Sequence, residues 1–247
     1  MKILKVNKVY LYFFAIVGFM FHLPFAFSGT KVFSFNATNA NKSTTATLNS
    51  SSTKIYDSLK LNLSGLSQQA FNCAIKGFEY LKIKGKIGND NILSIVDFSR
   101  PSSQKRLFVI DLKNFKVLFN TYVAHGQGSG KVMATQFSNV PESYQSSLGF
   151  YTTSSTYNGK NGYSMHLEGM ENGINDKAEE RAIVMHGARY VNENLIHARG
   201  FIGRSWGCPA VSEKLNKPII DKIKNGSCLF IYSENNSYLK SSKILNS

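Results

Sequence analysis

Residues 183–211 read IVMHGARYVNENLIHARGFIGRSWGCPAV. An apolar run ends on His186-Gly187, and a loop beyond it ends on Ser205-Trp206-Gly207-Cys208-Pro209. A histidine at a strand end is held rigidly. Gly187 lets the chain turn there and leaves its carbonyl free to accept from one ring nitrogen. A free thiol is only a few per cent thiolate at neutral pH, and a neighbouring imidazole raises its reactivity as an ion-pair partner or a general base. Cys208 is therefore read as a nucleophile and His186 as its base. Gly207 brings backbone N–H groups close to a reacting carbonyl, so the amides of Trp206, Gly207 and Cys208 are candidate oxyanion donors. Pro209 has no N–H, which confines such a site to the N-terminal side of the thiol. The separation of the pair exceeds local helix geometry, so a loop must bring the two residues together.

The same residues admit other readings. A lone cysteine is more often buried and inert than reactive, and a lone histidine more often a hydrogen-bonded structural residue. A zinc site from His186, His197 and Cys208 lacks the paired ligand spacing of such sites, and no metal is expected. Papain-like peptidases place cysteine before histidine, whereas His186 precedes Cys208 and the earlier histidines (His22, His125, His166) do not restore that order. Sortases need an arginine after the cysteine, and none follows Arg204.

The chain around this stretch has 247 residues, 43% of them hydrophobic and 18% charged. That composition suits a globular domain with extras. A net charge of +14 favours polyanionic surroundings, whether nucleic acid, an anionic membrane face or an acidic wall polymer, without choosing among them. Lys2, Lys5 and Lys8 precede an apolar run, Val9 to Phe21, too short for a comfortable span, and Ala26-Phe27-Ser28 follows. Residues 1–28 read as a secretory signal, so the mature chain is expected to be exported, with no stable membrane span after cleavage. Residues 29–54, rich in Ser, Thr and Asn, read as a flexible linker. Of three cysteines, at least one must be unpaired within the monomer. If that is Cys208, Cys73 and Cys228 are a possible pair in an oxidising compartment.

From Ser67, a helix N-cap, apolar residues recur at helical spacing through Leu81 until Gly85, which predicts one amphipathic helix. Short apolar runs follow at 92–98, 106–112, 115–123, 148–153, 163–167, 182–185 and 228–232, with the polar pair Lys113-Asn114 suggesting a hairpin. Asn216 reads as the cap of a short helix with Pro218 in its first turn, closed by Asn225-Gly226. Many short strands and two helices predict a mainly β core, a sandwich or partial barrel. HGQGSG at 125–130 opens no long helical pattern and reads as a tight turn or a substrate-side loop. The ordered domain is expected over 55–235, with 236–247 as a tail.

At His186-Gly187 and Ser205-Trp206-Gly207-Cys208 the chain resembles the murein L,D-transpeptidases, exported bacterial enzymes with a YkuD-type β fold. Their signature is a His-Gly followed, after a loop, by Ser/Thr-x-Gly-Cys. The usual pattern has a second histidine where this chain has Trp206, so it is similar to a branch with an S-W-G-C-P motif. IVDFSRPSSQKRLFVIDL, VAHGQGSG, FSNVPESYQSSLGFY, the segment 163–191 and GSCLFIY extend the likeness over roughly 59–232. The resemblance implies acyl transfer through a Cys208 thioester, with release of the terminal D-Ala of a peptidoglycan stem peptide and no cofactor. It makes Cys208 the nucleophile, His186 the base, Gly187 O the orienting acceptor and the amides near Gly207 the oxyanion donors, with Ser205 supporting the loop. Stem peptides end in carboxylates, which guanidinium groups bind, so Arg204 first and then Arg189 are candidate substrate-binding residues, with His125 and His166 as possible pocket residues. Peptidoglycan is then the expected partner rather than nucleic acid, acylation by carbapenems is expected, and the site of action is the periplasm or cell wall. L,D-carboxypeptidase activity on the same substrate and a non-catalytic basic wall-binding module are the alternatives.

Overall fold

Ser67 takes an extended backbone and accepts from the Ala70 N–H, which starts helix α1, Gln68–Ile83. Its buried residues include Ala70, Phe71, Ala74, Ile75, Phe78 and Leu81, one stripe at helical spacing. The computed structural model describes residues 52–247. The expected signal, and all but the last residues of the expected linker, lie outside the described residues.

The apolar runs form strands β1 (Asn89–Asp97), β2 (Leu107–Asp111), β3 (Lys116–Thr121), β4 (Gly149–Gly159), β5 (Gly162–Gly169), β6 (Val184–Gly187), β7 (Ala210–Val211) and β8 (Ser227–Tyr232). They make one sheet in the order β3-β2-β1-β8-β4-β5-β6-β7. The β1–β8 and β6–β7 pairs are parallel and the rest antiparallel. The chain leaving β3 returns to the far edge, where Ala124 N–H donates to Ala210 O at 2.7 Å and Gly126 bridges to Ser205. The sheet is thereby almost closed into a barrel, the mainly β architecture that the run pattern predicts.

β8 is buried along its whole length and β1 along most of it, as expected of strands covered on both faces. Phe150 and Phe230 stack at 4.1 Å between ring centroids in this core. A second, small apolar cluster (Ala124, Ala188, Val191, Ile202 and Ala210) lies under the loop that leads from β6 toward β7. That loop therefore has its own packing.

The hairpin expected at Lys113-Asn114 forms between β2 and β3. Its turn spans 112–115, because Asp111 accepts from the Asn114 N–H (2.8 Å) and side-chain amide (2.9 Å) and sets an Asx-type turn. Other local expectations are corrected. The helix near Pro218, α3 (Glu213–Ile223), starts after Ser212, and Asn216 is a buried residue inside it rather than its cap. Helix α2, Glu193–Arg199, is capped by Asn192 and buries no residue, so it offers no apolar periodicity to read. Residues 236–247 are not a loose tail. They contain helix α4 (Asn236–Ser241), and Tyr238, Ile244 and Leu245 join the core. Buried Glu171 anchors them, accepting from Tyr238 OH (2.9 Å) and from the Ser242 hydroxyl while also taking the Phe150 N–H. Cys73 and Cys228 are free thiols, not a disulfide. Burial pushes both upward in pKa, Cys228 most strongly because it is fully enclosed in β8.

Candidate active site

The parallel pairing of β6 with β7 sets His186 opposite Ala210 and Gly187 opposite Val211. Cys208 lies two residues before Ala210, the first residue of β7, so strand pairing brings the two ends of the loop together. His186 and Cys208 line the same cavity of about 810 Å³.

His186 is buried, and its Nδ1 lies 2.9 Å from Gly187 O. A carbonyl oxygen only accepts, so Nδ1 carries the proton and Nε2 of the neutral ring is left as an acceptor. Burial holds the imidazole below its usual pKa, with the Gly187 carbonyl offsetting part of that effect. Gly187 also admits helix α3: a Cβ there would lie 3.1 Å from Asn216 Cβ. The Asn216 side-chain amide in turn donates to Tyr163 O at 2.6 Å.

The Cys208 thiol lies 3.5 Å from the Val184 N–H nitrogen and 3.7 Å from Ala182 O. Burial pushes it above the ordinary thiol pKa, while the Val184 N–H and the Arg181 guanidinium act in the other direction. Both shifts favour the neutral thiol and the neutral imidazole, which suits proton transfer during attack.

The loop before the thiol is fixed from within and from below. Ser205 Oγ donates to Cys208 O (2.6 Å) and accepts from the Gly207 N–H (3.1 Å). Gly207 has φ +129°, and a Cβ there would lie 2.8 Å from Gln145 O. Ser146 Oγ accepts from Gly126 N–H and donates to Gly207 O, both at 3.0 Å. The Gly207 amide, one of the oxyanion donors expected there, donates to Ser205 in this structure.

Arg204 and Arg189 line the cavity. Arg204 Nη1 also donates to Gln127 O (3.3 Å) and Gly130 O (3.0 Å), and the exposed Arg189 side chain sits 3.4 Å from Glu213. His166 and His125 are not among the lining residues. His166 is exposed on β5 and stacks on Tyr157 at 4.6 Å. His125 is buried behind the loop, where Arg106 Nη2 donates to its Nδ1 at 2.7 Å and its Nε2 faces Gly130 O at 3.2 Å. Burial and the Arg106 charge hold its pKa down to about 3. It is a neutral structural ring, and its carbonyl takes the Ser205 N–H at 2.9 Å.

Sequence reasoning passed over Arg181, Tyr190, Tyr157 and the β4–β5 hairpin tip, Lys160 to Gly162, all of which line the cavity. The tip has a legible signal, the turn residues NGKNG at 158–162. Arg181 has none. It donates to Ser138 O (2.8 Å), Gln145 O (2.6 Å) and the Ser147 hydroxyl, tying the 138–147 segment to the base of β6. With Lys160, Arg181, Arg189 and Arg204 against Glu213, the cavity is basic. Among the described residues no three His, Cys, Asp or Glu side chains converge as metal ligands, and no helix is long and apolar enough to cross a membrane.

Residues 62–232 match the family model for the L,D-transpeptidase catalytic domain, which is more than half of the chain. The chain belongs to that family. Among solved structures, it is similar to the L,D-transpeptidase from Mycobacterium smegmatis, at 12% identity and TM-score 0.36, covering 58% of this chain and 59% of that one. It is likewise similar to LdtMt1 in complex with imipenem, at 11% identity and TM-score 0.35, covering 57% and 59%. The helical cell shape determining protein Pgp2 from Campylobacter jejuni follows at 13% identity and TM-score 0.39, covering 59% and 48%. The chain thus spans about three-fifths or less of the length of these L,D-transpeptidases and of Pgp2. No similar sequence was found among curated proteins. Within the family, this member has its cysteine loop held by Ser205 and Ser146 and its histidine oriented by Gly187.

Proposed function

We propose that this L,D-transpeptidase-family protein is an exported cysteine acyltransferase acting on peptidoglycan stem peptides in the periplasm or cell wall. The observation that carries the reading is the shared basic cavity, in which the Cys208 thiol and a His186 ring oriented by Gly187 O both lie. Cys208 Sγ attacks the carbonyl between the L-centre of the third stem residue and the terminal D-Ala, and its proton passes to His186 Nε2. The amides of Cys208 and Trp206 stabilise the oxyanion. Collapse breaks the C–N bond, His186 returns the proton to the departing amine, and D-Ala leaves a thioester on Cys208. An acceptor amine then attacks, gives its proton to His186 and regenerates the thiol. Arg204 and Arg189 meet the carboxylates of the stem.

Incubation with a carbapenem followed by intact mass is the test. An adduct is expected on the wild type and not on Cys208→Ala. A folded wild type that takes no adduct would leave a basic wall-binding module as the better reading. Muropeptide masses after incubation with the mature protein then separate a new cross-link from simple loss of D-Ala, the product of an L,D-carboxypeptidase.

A further inference from the structure

Trp206 lines the cavity with Cys208, yet it is 71% exposed. Tyr144, 42% exposed, meets it edge to face, with ring centroids 5.6 Å apart at 63°. Two large aromatic rings, one of them lining the cavity, thus stand exposed together as one contiguous apolar surface, the kind of patch that serves as an interaction site. The backbone that presents Tyr144 is unusual: Tyr144 has φ +54° and Glu142 φ +59°. A bulky residue in the left-handed region is costly and persists only where its surroundings over-determine it. They do so here. Tyr144 O accepts from the Gly128 N–H at 2.9 Å, Arg181 holds the next carbonyl, Gln145 O, and Ser146 is bonded to Gly126 and Gly207.

We propose that Trp206 and Tyr144 form a carbohydrate platform beside the thiol, which takes the saccharide to which the donor stem peptide is joined. The proposal rests on the acyl-transfer reading above. A pyranose offers an apolar C–H face with a polar rim, which suits rings that combine an apolar body with a polar handle. The reach is also right. The reacting carbonyl belongs to the third stem residue, so about 10 Å of extended peptide separates it from the sugar. Trp206 stands two residues from Cys208, at most about 7 Å of backbone, and its indole extends farther. The basic side chains of the same cavity serve the stem carboxylates, leaving the aromatic pair for the neutral part of the donor.

Trp206 is the only tryptophan in the chain, so intrinsic emission reports on this position alone. Cys208→Ala protein, which cannot turn over, is titrated with a disaccharide-tetrapeptide and with the same tetrapeptide lacking the sugar. One aromatic contact of this kind corresponds to about two- to tenfold in affinity. The expected result is quenching or a spectral shift with the disaccharide-tetrapeptide, at a Kd at least about threefold below that of the free peptide. Adding Tyr144→Asn, a side chain that tolerates the left-handed region, should remove most of that ratio. Equal Kd values for the two ligands, a ratio that survives Tyr144→Asn, or no change in emission with either ligand would each overturn the platform. Carbapenem acylation of the wild type reads the acyl-transfer proposal separately, so a failed platform and a failed enzyme assignment give different results.

Discussion

Replacing Gly207 with alanine puts a methyl group where the fold leaves no room. Gly207 holds φ +129°, and the added Cβ would sit 2.8 Å from Gln145 O and 3.1 Å from Ile183 Cδ1. The backbone cannot swing aside cheaply, because Ser205 Oγ holds the Gly207 N–H and Ser146 Oγ holds its carbonyl. Backbone strain of this type costs about 1–3 kcal/mol, and overpacking adds about 1–3 kcal/mol. For a domain of this size each kcal/mol lowers Tm by about 2–4 °C, so a fall of roughly 5–20 °C is expected. Gly85→Ala is the control. It has φ +64° and nothing within 4 Å of the added Cβ, so it carries only the left-handed penalty of about 1–2 kcal/mol. Thermal melts by circular dichroism give the comparison, and peptide mapping of iodoacetamide-treated protein follows Cys208 itself. Gly207→Ala should fall clearly further than Gly85→Ala and change the alkylation rate of Cys208. Equal losses in Tm with unchanged alkylation would show that the loop is not held as described.

His186→Ala should lower D-Ala release from tetrapeptide muropeptides by roughly 10²–10⁴-fold, the usual range for a lost general base. Because burial depresses the His186 pKa, the acid limb of wild-type kcat/KM should fall below pH 6.5; a limb above that value would contradict the buried, neutral ring. Arg181→Met removes a charge that favours the Cys208 thiolate, so alkylation at pH 8 should slow. Arg181→Lys should recover part of that rate without recovering Tm, since an ammonium cannot reproduce the forked contacts. Glu171→Ala leaves the Phe150 N–H and the Tyr238 and Ser242 O–H donors without their carboxylate acceptor in the core. Each such group costs about 1–3 kcal/mol, and hydrogen exchange should accelerate over 236–247. His125 is held to about 3 against an ordinary 6.5, so the fold binds fewer protons than the unfolded chain between those values. Its contribution is present above pH 6.5 and is lost as pH falls toward 3. His125→Gln should therefore flatten the decline of Tm on acidification over that window, as read by melts at a series of pH values.

Periodicity made α1 and most of the strands legible, because alternating or continuous apolar runs are what a covered sheet requires. It said nothing of α2, which buries no side chain, or of α4, whose anchor is Glu171, far away in sequence. The motif residues show the same division. Ser205-Trp206-Gly207-Cys208 and His186-Gly187 could be read as chemistry because a thiol, an imidazole and glycines have local meanings. His125 looked like a pocket residue because of its type, yet its ring is taken up by the buried Arg106 guanidinium. That partner lies on another part of the chain, and no local pattern announces it.

The sequence by itself determined the apolar runs that build a mainly β sheet, the family to which the chain belongs, and the thiol and imidazole on which the proposed chemistry depends. Tertiary structure alone decided that β6 and β7 pair in parallel and set the two ends of the loop side by side. It also decided that the Gly207 amide belongs to Ser205, that Arg181 stands beside the thiol, and that Trp206 meets Tyr144 in the open. The physical reason is range. Propensity, capping and side-chain chemistry act within a few residues, whereas register, burial and charge neighbours are set by segments that meet only when the sheet closes.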